Sequence, residues 1–166
     1  MKYFIGILIT ALVAGGIFLG FYLGKNDNST SSSSNSASSG TDVGTSTKSS
    51  SIAKVLDLSG TGLTKVTAEI YSKTETTDLI LSNNNIQTLP SEMGKMTNVV
   101  VFKIDHNLLE GSLIGEIRQM SKLKQLDVSY NKMPGMPAEI GQLSNLETLN
   151  YSYNDITGLP NELSNL

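Results

Sequence analysis

From residue 53 to the end, the sequence repeats itself at a nearly constant interval, and that repeat restricts the fold more than any other feature. A template with apolar residues at positions 1, 4, 6 and 11 and asparagine at position 9 fits Leu123, Leu126, Val128, Met133 and Asn131. It fits Leu146, Leu149, Tyr151, Ile156 and Asn154 equally well. Upstream it takes Val99, Phe102, Ile104, Leu109 and Asn107, and before them Leu79, Leu81, Ile86 and Asn84, with Thr76 in the first place. The earliest copy has Ala53, Leu56, Leu58 and Leu63, with Thr61 where asparagine is expected. The units start at 53, 76, 99, 123 and 146, so the steps are 23, 23, 24 and 23 residues. A unit this short cannot bury its own apolar face. It must stack on its neighbours, and at least about three copies are needed for a stable array.

The second half of each unit repeats as well. Leu89-Pro90 with Glu92 and Met93, Met136-Pro137 with Glu139 and Ile140, and Leu159-Pro160 with Glu162 and Leu163 share the pattern apolar-Pro-x-Glu-apolar. The array resembles the leucine-rich-repeat family, in its 23-residue L-P-x-E-I type, over about two-thirds of the chain. The resemblance implies an α/β solenoid of about five coils over 52–166, with a concave parallel sheet. The L-x-L segment becomes a short strand with its apolar residues turned inward. The family's asparagine ladder would be supplied by Asn84, Asn107, Asn131 and Asn154, since buried amides need partners. The Pro-x-Glu half returns along the convex side as loop or short helix. The third unit is one residue longer, carries Gly111, and has Ile114 where the others have proline, so a local change of convex geometry is expected there. No cysteine-framed cap flanks the array. The last coil either caps itself imperfectly, continues beyond this sequence, or has its edge covered by a second copy.

Two further segments precede the repeats. Tyr3 to Gly24 is an apolar run of 22 residues bracketed by Lys2 and Lys25, with aromatics at both ends. As a helix it would span roughly 33 Å, enough to cross a bilayer, so residues 1–25 are expected to form a transmembrane signal anchor. A cleaved signal peptide is the competing reading, but its apolar core is usually shorter and no small-x-small cleavage site follows the run. The flanking charges lean toward an N-in orientation with the repeats outside. Gly16, Gly20 and Gly24 fall four apart and would share one helix face, which offers a homodimer contact; glycine is also simply common in such helices. Residues 26–51 are mostly serine and threonine and are expected to be a disordered linker with an r.m.s. reach of about 28 Å. Asn28-Ser29-Thr30 within it is a glycosylation sequon that matters only in a glycosylating pathway.

The net charge of -3 and the pI near 5.1 lack the basic face of a nucleic-acid binder. There is no cysteine, so disulfides and thiolate metal sites are excluded. His106 is the single histidine; Asp105, and Asp127 beside Ser129, could be drawn into an Asp-His-Ser arrangement. An open solenoid offers no deep pocket and no oxyanion donor is evident, so a solvated surface histidine is the better reading and no enzyme, metal or cofactor is expected.

A partner is expected on the strand residues that alternate with the buried ones. The position between the two strand apolar residues reads Asp57, Ile80, Lys103, Asp127 and Asn150. Two places earlier stand Val55, Asp78, Val101, Gln125 and Thr148; three places later stand Gly60, Asn83, His106, Tyr130 and Tyr153. Apolar and tyrosine side chains on a polar face favour protein recognition, and the candidate contacts are Asp57, Asp78, Ile80, Val101, Lys103, His106, Asp127, Tyr130, Asn150 and Tyr153. The expected function is a membrane-tethered module that binds a protein or peptide. Its rival is a structural or surface-display protein whose concave face has no dedicated ligand, since a few exposed apolar residues are normal.

Overall fold

The computed structural model describes residues 53–166 and two short strands ahead of them, β1 (Phe4–Leu8) and β2 (Gly20–Gly24). Each coil contributes one three-residue strand: β3 (Val55–Asp57), β4 (Asp78–Ile80), β5 (Val101–Lys103), β6 (Gln125–Asp127) and β7 (Thr148–Asn150). These five are parallel and in sequence order, with Leu56, Leu79, Phe102, Leu126 and Leu149 aligned across the sheet. The repeat step in the sequence is thus the register of the sheet.

Strand side chains alternate between two faces. The inward set, continued by Leu81, Ile104, Val128 and Tyr151, is fully or almost fully buried from the second coil onward. Leu56 and Leu58 in the first coil are only partly buried, because one side of that coil has no preceding repeat.

The asparagines form the expected ladder. The Asn107 amide donates to the carbonyls of Leu81 (2.9 Å) and Ile104 (3.1 Å), while its oxygen accepts from the Ile86 amide (3.0 Å). Asn84, Asn131 and Asn154 repeat the pattern, each tying its own strand exit to the preceding coil. In the first coil the Thr61 hydroxyl lies 2.8 Å from the Leu58 carbonyl, a local bond, and 3.4 Å from the Asn84 side-chain oxygen of the next coil.

On the convex side, four coils turn through 3₁₀ helices at Ser91–Lys95, Gly115–Gln119, Ala138–Gln142 and Asn161–Asn165, and the first coil through a short α-helix, α1 (Ala68–Tyr71). Proline sits one place before the 3₁₀ turn in an extended conformation, as at Pro90 (φ -75°, ψ 148°) and Pro137 (φ -72°, ψ 146°). Ile114 adopts nearly the same angles, φ -60° and ψ 137°, and its turn has the same length as the others. The expected change of convex geometry is therefore absent from the turn. It lies earlier, where Gly111 takes φ +77° and Glu110 bridges in parallel to Lys132, which absorbs the extra residue of the third coil.

The N-terminal run departs from the expected helix where it is described. β1 and β2 pair antiparallel, and β2 pairs antiparallel with β7 through Tyr22↔Asn150 and Leu23↔Leu149. Phe, Ile, Tyr and Leu suit a strand as well as a membrane helix, and the outer edge of β7 offers unpaired backbone groups. Among the described residues no helix is long and apolar enough to cross a membrane. Gly20 and Gly24 lie in β2, not on a helix face; Gly16 and the linker 26–51 lie outside the described residues.

Candidate ligand-binding face

The outward strand residues lie in columns separated by one coil step. Asp57, Ile80, Lys103, Asp127 and Asn150 are cross-strand neighbours, and so are Val55, Asp78, Val101, Gln125 and Thr148. Ile80 and Val101 meet diagonally, both half-buried, as the sequence reading expects. Asp57 and Lys103 are exposed, and Asp78, Asp127 and Asn150 are intermediate. The seven candidates on strands thus share one face, in two unlike halves: apolar Val55, Ile80 and Val101 among aspartates, then a polar half.

Hydrogen bonds fix the polar side chains. Asp127 accepts from the Ser129 hydroxyl (2.6 Å) and backbone amide (3.0 Å) and from the Asn150 amide (3.1 Å). Asn150 holds Ser152 likewise, with its oxygen accepting from the Ser152 hydroxyl at 2.7 Å. In the first coil the same pairing with the Ser59 hydroxyl and backbone holds the Asp57 carboxyl below its usual pKa. The Lys103 side chain makes no hydrogen bond or ion pair with the described residues, although Asp127 is its cross-strand neighbour. Lys103, Gln125, Asp127, Thr148 and Asn150 surround a shallow depression of about 210 Å³.

Three places after the column of Lys103 runs an aromatic stack. The His106 and Tyr130 ring centroids are 4.1 Å apart and inclined by 15°; those of Tyr130 and Tyr153 are 4.1 Å apart and inclined by 12°. A side-chain hydrogen bond with Tyr153 raises the Tyr130 pKa above the usual phenol value. His106 is thus one ring of a stack, a placement beyond the solvated histidine expected from sequence. Its Nδ1 lies 2.9 Å from Asp105, whose other oxygen accepts from the Ser82 hydroxyl at 2.5 Å. Asp105 was not among the candidate residues. Its signal was an aspartate in a column that otherwise reads Ser59, Ser82, Ser129 and Ser152.

The stack stands on backbone that its residues do not favour. Asn83, His106, Tyr130 and Tyr153 have φ of 57°, 52°, 52° and 55°, and Gly60 occupies the same place in the first coil with 65°. Glycine and asparagine enter this left-handed region readily, whereas a tyrosine there costs on the order of 1 kcal/mol. Stacking returns about 0.5–1.5 kcal/mol per aromatic pair, so the array carries the stack with little net loss.

No group of three or more His, Cys, Asp or Glu among the described residues could hold a metal ion.

Residues 74–133 match the family model described as leucine rich repeat, and residues 145–166 match a second model of that description. The chain is 39% identical over 61 residues to leucine-rich repeat and fibronectin type III domain-containing protein 1 of Danio rerio, covering 36% of this chain and 10% of that protein. It is 33% identical over 94 residues to lumican of Mus musculus, covering 55% of this chain and 27% of lumican. The chain therefore spans well under half the length of these relatives. Among solved structures, a leucine-rich-repeat protein of Leptospira interrogans superposes with a TM-score of 0.56 at 29% identity, over 69% of this chain and 35% of that one. The BIR3–SERK2 complex of Arabidopsis thaliana gives 0.56 at 26% identity over 61% of this chain and 56% of that chain. The PEPR1–AtPEP1 structure gives 0.57 at 28% identity over 61% and 15%. The repeat register, the asparagine ladder and these matches agree: the chain belongs to the leucine-rich-repeat family.

Proposed function

We propose that this protein is a binding module that captures a protein or peptide on the outward face of its parallel sheet, and that it acts by recognition and not by catalysis. The observation that carries this reading is the face itself. It sets polar side chains held in place by neighbours beside exposed aromatic rings, so little side-chain entropy remains to be lost on binding. Two of the similar structures, BIR3–SERK2 and PEPR1–AtPEP1, are of complexes, which supports the same use of the scaffold.

The module is further proposed to be membrane-tethered, with the repeats on the outer side. The support is the length of the apolar run and its flanking lysines. A strand pinned to the β7 edge cannot at the same time cross a bilayer, so the proposed tether requires β2 to leave the β7 edge when the run inserts.

One experiment tests both parts. Cells expressing a C-terminally tagged chain are fractionated and, in parallel, shaved with protease before lysis. The tag is expected in the membrane fraction and is expected to be lost on shaving; a soluble chain, or a tag protected until lysis, overturns the tether or its orientation. Chemical cross-linking on the same cells then compares the wild type with an Ile80→Ser/Val101→Ser double variant. A cross-linked partner lost in the variant supports the binding reading. The same cross-linking pattern in both, with folding unchanged, favours a display protein whose face has no dedicated ligand.

A further inference from the structure

The left-handed position after each strand is where the array departs most from what its backbone favours. Gly60 and Asn83 fill it in the first two coils without strain, and either type would serve in the next three. His106, Tyr130 and Tyr153 stand there instead, with Tyr130 43% and Tyr153 38% exposed. Because the rings stack face to face, it is their edges and the tyrosine hydroxyls that meet solvent. The surroundings are acidic. Asp105 lies beside His106, and Asp127 stands three residues before Tyr130 in its coil, each with its carboxylate oriented by a serine hydroxyl. A carboxylate has about four lone-pair sites, so Asp105, bonded to Ser82 and His106, and Asp127, bonded to Ser129 and Asn150, keep some acceptor capacity. Asp57 and Asp78 extend the negative charge over the first two coils, against the single positive Lys103.

Carboxylate acceptors beside tyrosine hydroxyls match a guanidinium, which is planar and carries five donors in a fixed fork. Adjacent strands are ~4.8 Å apart, so the three rings extend over roughly 10 Å. An extended peptide places alternate side chains about 6.6–6.8 Å apart, close enough for two to meet one stack. We propose that the His106–Tyr130–Tyr153 stack and its flanking Asp105 and Asp127 form a docking site for an extended peptide segment bearing arginine. The proposal deepens the binding reading above and rests on it.

The test uses the full chain in mild detergent and three fluorescently labelled twelve-residue probes of glycine and serine, carrying respectively three arginines, three glutamates, or no charge. Fluorescence anisotropy is expected to show the arginine probe binding at least tenfold tighter than the neutral one. A Tyr130→Asn/Tyr153→Asn double variant is expected to lose that tenfold. Asparagine accepts the left-handed backbone, so the fold survives the change, as circular dichroism verifies. Asp105→Asn/Asp127→Asn is expected to weaken binding and flatten its salt dependence. A Glu92→Gln/Glu139→Gln variant on the convex side is expected to bind as the wild type does.

Equal loss in the convex variant would mean general attraction to an acidic protein and would overturn the site. Arginine-probe binding that survives loss of both tyrosines would overturn it as well. Preference for the glutamate or neutral probe, lost in the tyrosine variant, would overturn the arginine assignment while leaving peptide binding intact. If no probe binds, the arginine site is overturned, and the cross-linking comparison decides the broader reading by itself.

Discussion

Gly141 faces the backbone of Glu162 so closely that a Cβ built on it would overlap the Glu162 carbonyl group. This contact packs the 3₁₀ turn of the fourth coil against that of the fifth. Gly94 holds the equivalent place one pair of coils earlier, but there a Cβ would meet the Gln119 side-chain oxygen at 2.6 Å. A side-chain end can swing aside, whereas a backbone carbonyl moves only with its turn. Gly141→Ala is therefore expected to destabilise by about 1–3 kcal/mol and to lift the Asn161–Asn165 turn, while Gly94→Ala stays within about 1 kcal/mol. Urea denaturation gives the energies, and hydrogen exchange at the last turn gives the location. Equal losses at the two glycines would refute the distinction.

The asparagine ladder predicts a steep contrast between coils. Removing the amide in Asn107→Ala leaves the buried Ile86 amide without its bond, while the Leu81 and Ile104 carbonyls each lose one bond and keep those from Asn84 and Asn131. An unsatisfied buried group costs about 1–3 kcal/mol, so a loss within that range is expected. Thr61→Ala, at the exposed equivalent in the first coil, is expected to stay below about 1 kcal/mol. Thermal or urea unfolding of the two variants decides it.

Tyr151 is wholly buried in the strand register of Leu81 and Ile104, and its hydroxyl has no hydrogen-bond partner among the described residues. Tyr151→Phe removes an unpaired polar atom and is expected to stabilise the domain by about 1 kcal/mol. Burial also raises the Tyr151 pKa well above the ordinary phenol value. The unfolded chain then releases this proton near pH ~10 while the folded chain keeps it, so stability is intact below that pH and falls as pH rises above it. The phenylalanine variant should lose less stability between pH 9 and 11 than the wild type (about the range of phenol titration). An identical alkaline slope in both would show that Tyr151 does not titrate as placed.

Ile114 carries the backbone angles of the prolines in the other coils, and its amide donates no hydrogen bond to the described residues. Ile114→Pro should keep the Gly115–Gln119 turn and change stability by less than about 1 kcal/mol, the smaller chain entropy of proline offsetting the lost isoleucine contacts. Gly111→Ala, at φ +77°, is expected to be destabilising by about 1 kcal/mol through strain alone, because nothing lies within 4 Å of the added carbon. Melting curves that reverse this order would contradict the assignment of the extra residue to the strand exit.

The roles of Asn84, Asn107, Asn131 and Asn154 came with the family resemblance; the sequence itself determined the repeat register and the inward column from Leu79 to Leu149. These follow from periodicity: a fixed step with two-residue alternation dictates which side chains share a face, whatever their neighbours do. The tertiary structure alone decided what happens between coils. It made His106 part of a stack with Tyr130 and Tyr153, gave Ser82 to Asp105 of the next coil, and located the irregularity of the third unit at Gly111. It set β2 against β7, where the apolar run by itself reads as a helix. Each of these is a contact between residues about 20 or more positions apart, or a backbone angle imposed by such a contact. Its energy resides in the geometry between neighbours, which a column of residue types does not carry.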